Sequence, residues 1–256
     1  MDRLIKIFVL LGICISCAEH DLKKNCSTLA TADSFQYPIQ PKTAQWDALL
    51  SLQSRVDACQ IPDNVLSEMS TEGLLATLLN YPLIMDIYAW NFVQHGFNRI
   101  KNEQKGFAEL YSRGDLFMVA LKRYEKMSLD CDGSYPPFIH GEGPPAFIAF
   151  ATFEMVLLQD EFLDILDEDQ TLQLFKDIFH KLEEKNTLTD ESFSNWISYA
   201  ILGKIMLKNN YAPFLNLCAR EEFLESFITE IPSYYLESDI HTEILSQAKS
   251  FIELHG

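Results

Sequence analysis

The chain has 256 residues, 48% of them hydrophobic and 22% charged, with 20 Lys plus Arg against 37 Asp plus Glu. That apolar content suits a substantial buried core and excludes a disordered chain. The net charge of −17 opposes a phosphate backbone and excludes nucleic acid as a partner, while 34 Leu against 6 Val favour helix over sheet.

Residues 1–16 predict an export signal. Arg3 and Lys6 give a positive start, and Ile7 to Ile15 is an apolar stretch far shorter than the about 20 residues needed to span a bilayer. Ser16 then precedes Cys17, and the chain turns polar at Glu19-His20-Asp21. This order resembles a bacterial lipoprotein signal, which implies that Cys17 becomes the lipid-bearing N-terminus. Cys14 stands where that pattern prefers Leu, and Ser16-Cys17-Ala18 also offers a small-x-small site for ordinary cleavage after Ala18. Residues 17–40, polar and ending with Pro38 and, just beyond, Pro41, predict a flexible tether.

Residues 41–256 predict a single helical domain. Trp46, Leu49, Leu50 and Val56 mark one helix reaching Cys59, and Pro62 starts a short one. Ser70 caps a helix that ends before Pro82. Val93, Phe97 and Ile100 share the face of another; Gly106 to Arg113 forms a short one, and Asp115 caps the next. Residues 129–145 then break the pattern with Asp130-Cys131-Asp132-Gly133 and Gly141-Glu142-Gly143-Pro144-Pro145, a loop dividing the body into halves 41–128 and 144–256.

Beyond it, Ala146 to Leu158 is almost wholly apolar apart from Thr152 and Glu154. Leu172, Phe175, Phe179 and Leu182 stripe the next helix, and Phe193, Trp196, Ile197, Ala200 and Ile201 the one after. Shorter helices are expected near Phe214 and at Glu221–Thr229, and Asp239 caps a last one. No strand alternation and no fixed repeat period accompany them. The expected fold is all-α: an irregular array of about ten helices in stacked antiparallel pairs, or a short right-handed superhelix.

One run carries a resemblance: Ile61-Pro62, Met69-Ser70-Thr71-Glu72, Leu78-Leu79-Asn80-Tyr81-Pro82-Leu83, Asn91, Gln94, Gly96-Phe97, Asn102, Gly106-Phe107, Glu109-Leu110 and Arg113-Gly114-Asp115. It resembles a family of uncharacterised exported proteins, mostly lipoproteins, of gut-type Bacteroidetes bacteria, over residues 43–127. The resemblance implies a bacterial, envelope-located helical protein and offers no catalytic residue to carry over. Read physically, Gly96 inside a helix implies a close crossing, and Asn102, Glu109, Arg113 and Asp115 imply caps and ion pairs that hold turns.

Chemistry-bearing patterns are sparse. Six His include no H-E-x-x-H, and no nucleophile elbow or phosphate loop occurs. No cofactor and no metal site is expected. Asp130-x-Asp132-Gly133 lacks the remaining ligands of a calcium loop, and the acids between Asp160 and Asp169 suit a solvated helix start. Outside the signal, Cys26, Cys59, Cys131 and Cys218 leave three disulfide pairings open in an oxidising envelope, against a reading as small buried hydrophobes. In the long loop, His140 and Glu142 are the nearest approach to an acid–base pair. Tyr135 and Phe138 there, with Tyr234 and Tyr235 in a later break, are aromatics suited to anchoring a partner.

The expected function is that of a non-catalytic, lipid-anchored envelope protein that binds the membrane through its lipid and presents a surface to another envelope protein or a peptide. The alternatives are an envelope hydrolase using loop 129–145 and a carbohydrate-binding accessory protein using the loop aromatics. Metabolic labelling with a fatty acid tests the anchor: Cys17→Ala should abolish incorporation, and persistent labelling of that variant would overturn the assignment.

Overall fold

A computed structural model describes residues 31, 33–129, 146–188, 193–232 and 238–256, together with the backbone of 24–25 and 131–132. Among them are fourteen α-helices and one 3-10 helix, so the fold is all-α with more helices than the ten expected. The one ladder among the described residues is a two-residue parallel pairing of β1 (Lys24–Asn25) with β2 (Cys131–Asp132), Lys24 standing opposite Cys131.

The extra helices arise where local capping overrides longer periodicity. The helix expected to run to Cys59 is two: α1 (Ala44–Asp47), capped by Thr43, and α2 (Leu52–Ala58). Ser51 and Ser54 form a reciprocal capping box that starts α2 afresh, which a stripe through Trp46 and Val56 does not register. After α3 (Asp63–Glu68) comes α4 (Thr71–Leu79), where the Ser70 hydroxyl accepts from the Gly73 amide as the sequence predicts. A 3-10 helix, Ile84–Ala89, then turns the chain into α5 (Val93–Glu103), followed by α6 (Gly106–Ser112) and α7 (Leu116–Lys126).

The turns of this half are held by the polar residues of the Gly106–Asp115 stretch. Arg113 pairs with Glu109 at 2.8 Å and donates to the carbonyls of Met69 and Leu66, tying α6 to the end of α3. Asp115 stands at the N-cap of α7 as expected, but its carboxylate makes no capping bond there: it accepts from the Thr71 hydroxyl at 2.5 Å, locking α7 to the start of α4. Gln104, fully buried, donates to the Cys59 carbonyl and accepts from the Gly106 amide. At Gly96 the crossing is as close as its composition implies. A Cβ there would lie 2.4 Å from the Ile87 carbonyl oxygen and 2.8 Å from its Cα, so α5 rides directly on the 3-10 helix.

The second half comprises α8 (Ala146–Leu157), α9 (Asp160–Leu163), α10 (Glu168–Leu188), α11 (Phe193–Lys208), α12 (Ala212–Arg220), α13 (Leu224–Glu230) and α14 (Ser238–His255). Helix α11 is its centre, packed against α8, α10, α12, α13 and α14. It ends in a Schellman turn: Asn210 adopts a left-handed φ of 50° and the Tyr211 amide reaches the Met206 carbonyl. The two halves share one continuous core from Tyr37 to Phe251, with α7 against α10 and α5 against α13. The segment read as a tether is shorter than expected, because residues 33–39 lie docked on α4, with Tyr37 buried.

Gly96→Ala should cost about 1–3 kcal/mol, read as a lower urea midpoint at an unchanged slope. The obstructing atoms are backbone and cannot rotate away. A variant as stable as the parent would show that the crossing is looser than described.

Candidate functional site

The residues singled out from sequence, Cys17, Tyr135, Phe138, His140, Glu142, Tyr234 and Tyr235, all lie outside the described residues. The structure instead draws attention to two features, one buried and one exposed.

The buried feature grows from α8. Twelve residues of this helix include one charge, Glu154, which is 0% exposed. An isolated carboxylate in such surroundings would be expelled or neutralised, so its position demands donors. Three elements supply them. Lys185 of α10 places its ammonium 2.6 Å from Glu154 Oε1. Ser198 of α11 donates to Oε2 at 2.8 Å and accepts from Lys185 Nζ at 2.8 Å. Tyr124 of α7 donates to Oε1 at 2.5 Å. The Lys185 ammonium also sits 4.9 Å above the Phe150 ring, and Phe150 and Phe153 flank the Tyr124 ring.

Burial pulls the Lys185 ammonium below its ordinary value, a pull that the Glu154 carboxylate opposes. Burial, and then the same carboxylate, hold the Tyr124 hydroxyl well above its own. A serine beside a lysine is also the pattern of an activated nucleophile. Here, however, the serine proton is directed to Glu154, and Lys185 and Ser198 are 1% and 0% exposed, so a substrate carbonyl has no approach to Oγ in this arrangement. What the cluster does is fix α7, α8, α10 and α11 relative to one another.

The exposed feature is the 3-10 helix and the start of α5. Ile84 and Ile87 anchor the segment in the core, while Met85 and Trp90 are 44% and 42% exposed. The Phe92 ring packs on His95 at 5.1 Å. Phe92 is bridged to Pro232, and the Val93 amide donates to the carbonyl of Ile231. Ile231 holds a left-handed φ of 51°, which a β-branched residue rarely adopts and which burial and that hydrogen bond enforce. The chain thus enters the break carrying Tyr234 and Tyr235 directly beside Phe92.

Three acids of the 160–169 run are paired with lysines. Asp160 meets Lys204 and Lys208, Asp164 meets Lys208, and Glu161 meets Lys101 across the seam between halves. Burial raises the Asp160 carboxyl, but hydrogen bonds and charge from the two lysines outweigh it and leave it below its usual value. Cys59 and Cys218 are both free thiols, so none of the three complete pairings is formed; burial pushes each up to about 11. Among the described residues no group of His, Cys, Asp and Glu is arranged to hold a metal, and no helix is long and apolar enough to cross a membrane.

Two signals for these features stand in the sequence. Glu154 interrupts an otherwise apolar helix, and Lys185 falls three residues after Leu182 on the apolar stripe of α10, so each occupies a core position and each needs the other. The spacing of Trp90, Val93 and Phe97 reads Trp90 as the first position of the α5 stripe, whereas it lies before that helix and is exposed, because α5 has no side-chain cap to mark its start. In comparison with known proteins, no protein-family model matches the chain, and no curated protein or solved structure matches it.

Lys185→Met should destabilise the fold by about 3–5 kcal/mol, because it strands a buried carboxylate. Adding Glu154→Gln should recover a large part of that loss. A denaturant-based double-mutant cycle showing simple additivity would refute the coupling.

Proposed function

We propose that the chain is a non-catalytic, lipid-anchored protein of a bacterial cell envelope whose helical body serves as an interaction module for another envelope protein or a peptide. The observation that carries this reading is the exposure of Trp90 and Met85 on a segment whose opposite side is pinned in the core by Ile84, Ile87 and the Gly96 crossing. Exposed Trp and Met side chains are costly to leave in water and are enriched where partners dock, Met because it adapts to the surface it meets. The signal-like residues 1–16 and Cys17 supply the address, and the resemblance over residues 43–127 agrees with it.

The test is a photo-crosslinking amino acid at position 90 in cells that produce the protein, with position 253 on the far helix α14 as control. The expected result is a discrete adduct from position 90, lost on Met85→Ala, and none from position 253. Equal crosslinking from both positions, or none from position 90, would refute the surface.

A further inference from the structure

Residues 33–39 cross the Thr77 face of α4 as an irregular segment, with a turn at Asp33 and a bend at Pro38 and Ile39. Beside the contacts within the segment itself, its polar contacts to the helices are ones a bound peptide would make. The Asp33 carboxylate accepts from the Ser70 amide at the start of α4, at 2.9 Å. The Phe35 amide donates to the Thr77 hydroxyl at 2.8 Å, and the Tyr37 hydroxyl donates to the Thr77 carbonyl at 3.4 Å. The Ile39 carbonyl faces the Cys59 thiol at the end of α2. Tyr37 is the one residue of the seven that is buried, its ring set edge-on against Tyr81 at 5.9 Å and against Phe35 at 5.3 Å. A single aromatic anchor with backbone hydrogen bonds on either side is the recognition mode of a peptide in a groove.

The floor beneath is shaped to receive it. Gly73 leaves room for the Asp33 carboxyl group, whose atoms would lie 2.4–2.7 Å from a Cβ at that position. Thr77, itself bonded to the Gly73 carbonyl, presents both its hydroxyl and its carbonyl oxygen to the segment. Beneath it, Gly73 and Thr77 on α4, Tyr81 just past the end of that helix and Cys59 at the C-cap of α2 stand on elements held independently by Gln104, Arg113 and Asp115.

We propose that the face formed by α4 and the C-terminus of α2 is a peptide-docking groove, and that Asp33–Ile39 is its ligand in cis, able to leave while the helices stay folded. The occupant is therefore a peptide with an aromatic anchor four residues after an acidic one, supplied by this chain's own N-terminal strap. Joined to α1 through only a few residues, the strap competes at a high effective concentration, so the groove is filled even where the same peptide in trans binds weakly. Release would also lengthen the reach of the N-terminal segment by roughly 3.3–3.6 Å for each residue freed. This inference stands on the strap's contacts alone and is independent of the Trp90 surface.

The experiment measures alkylation of Cys59 in the full chain under native conditions, mapped to that residue by mass spectrometry. Tyr37→Ala removes the anchor, and Asp33→Ala, at an exposed position, removes one bond without disturbing the helices. The expected result is Cys59 alkylation about tenfold faster in Tyr37→Ala and severalfold faster in Asp33→Ala, with helical circular dichroism retained. A synthetic peptide spanning residues 31–40 should restore protection in both variants, and a scrambled peptide should not. Cys59 reacting at the parent rate in both variants, reacting only as fast as the chain unfolds globally, or remaining unprotected by the peptide would each overturn the proposal.

Discussion

The structure depends on how one carboxylate is kept out of water. Glu154 lies in the middle of the most apolar described helix of the chain, where an unpaired charge would cost far more than any single contact returns. Its two oxygens therefore dictate where Tyr124, Lys185 and Ser198 must stand, and through them the positions of α7, α10 and α11 around α8. A buried pair of this kind adds little net stability compared with well-packed hydrocarbon. Its value is registry, because only one relative placement of four helices satisfies every donor and acceptor at once.

The same helix forms the seam between the two halves. From the first half, the Tyr88 hydroxyl meets Thr152, the Tyr111 hydroxyl donates to the Val156 carbonyl, and Gln94 exchanges hydrogen bonds with Gln159 just past the end of α8. Lys101 and Glu161 add a charged contact at the rim. The Gly- and Pro-rich run 129–145 divides the sequence, but the core of the described residues does not divide with it. Apolar residues from both halves form one cluster, and the polar contacts on α8 align them.

Much of this architecture was legible in the sequence, and the failures have physical causes. Stripes of seven or more residues marked α5, α7, α10, α11 and α14, because burying a helix face requires that spacing over several turns. Elements of one or two turns escaped: α1, α9 and the 3-10 helix are too short to show a period and are set by caps and tertiary contacts. Asp115 read as a cap because it precedes an apolar run; the nearby Thr71 hydroxyl, distant in sequence, took its carboxylate instead. The tether was read too long because its composition is polar, whereas one buried tyrosine and a few backbone bonds suffice to dock it. For the candidate site the outcome is more uneven. The aromatic and His–Glu candidates of the two breaks lie outside the described residues. The Glu154–Lys185 pair could have been found by asking what a lone charge on an apolar stripe must face.

The seam on α8 sets a chemical boundary on the fold. The hydroxyls of Tyr88, Tyr111 and Tyr124 are each held above the ordinary phenol value of 10.0 by burial, so ionising any of them works against the cover on α8. Groups with raised folded values contribute fully below the unfolded value and lose that contribution as alkalinity climbs through the folded one. In strong base these phenols, with Tyr37 and Tyr81, therefore oppose the covered state, so alkalinity works against the same seam that holds the two halves together.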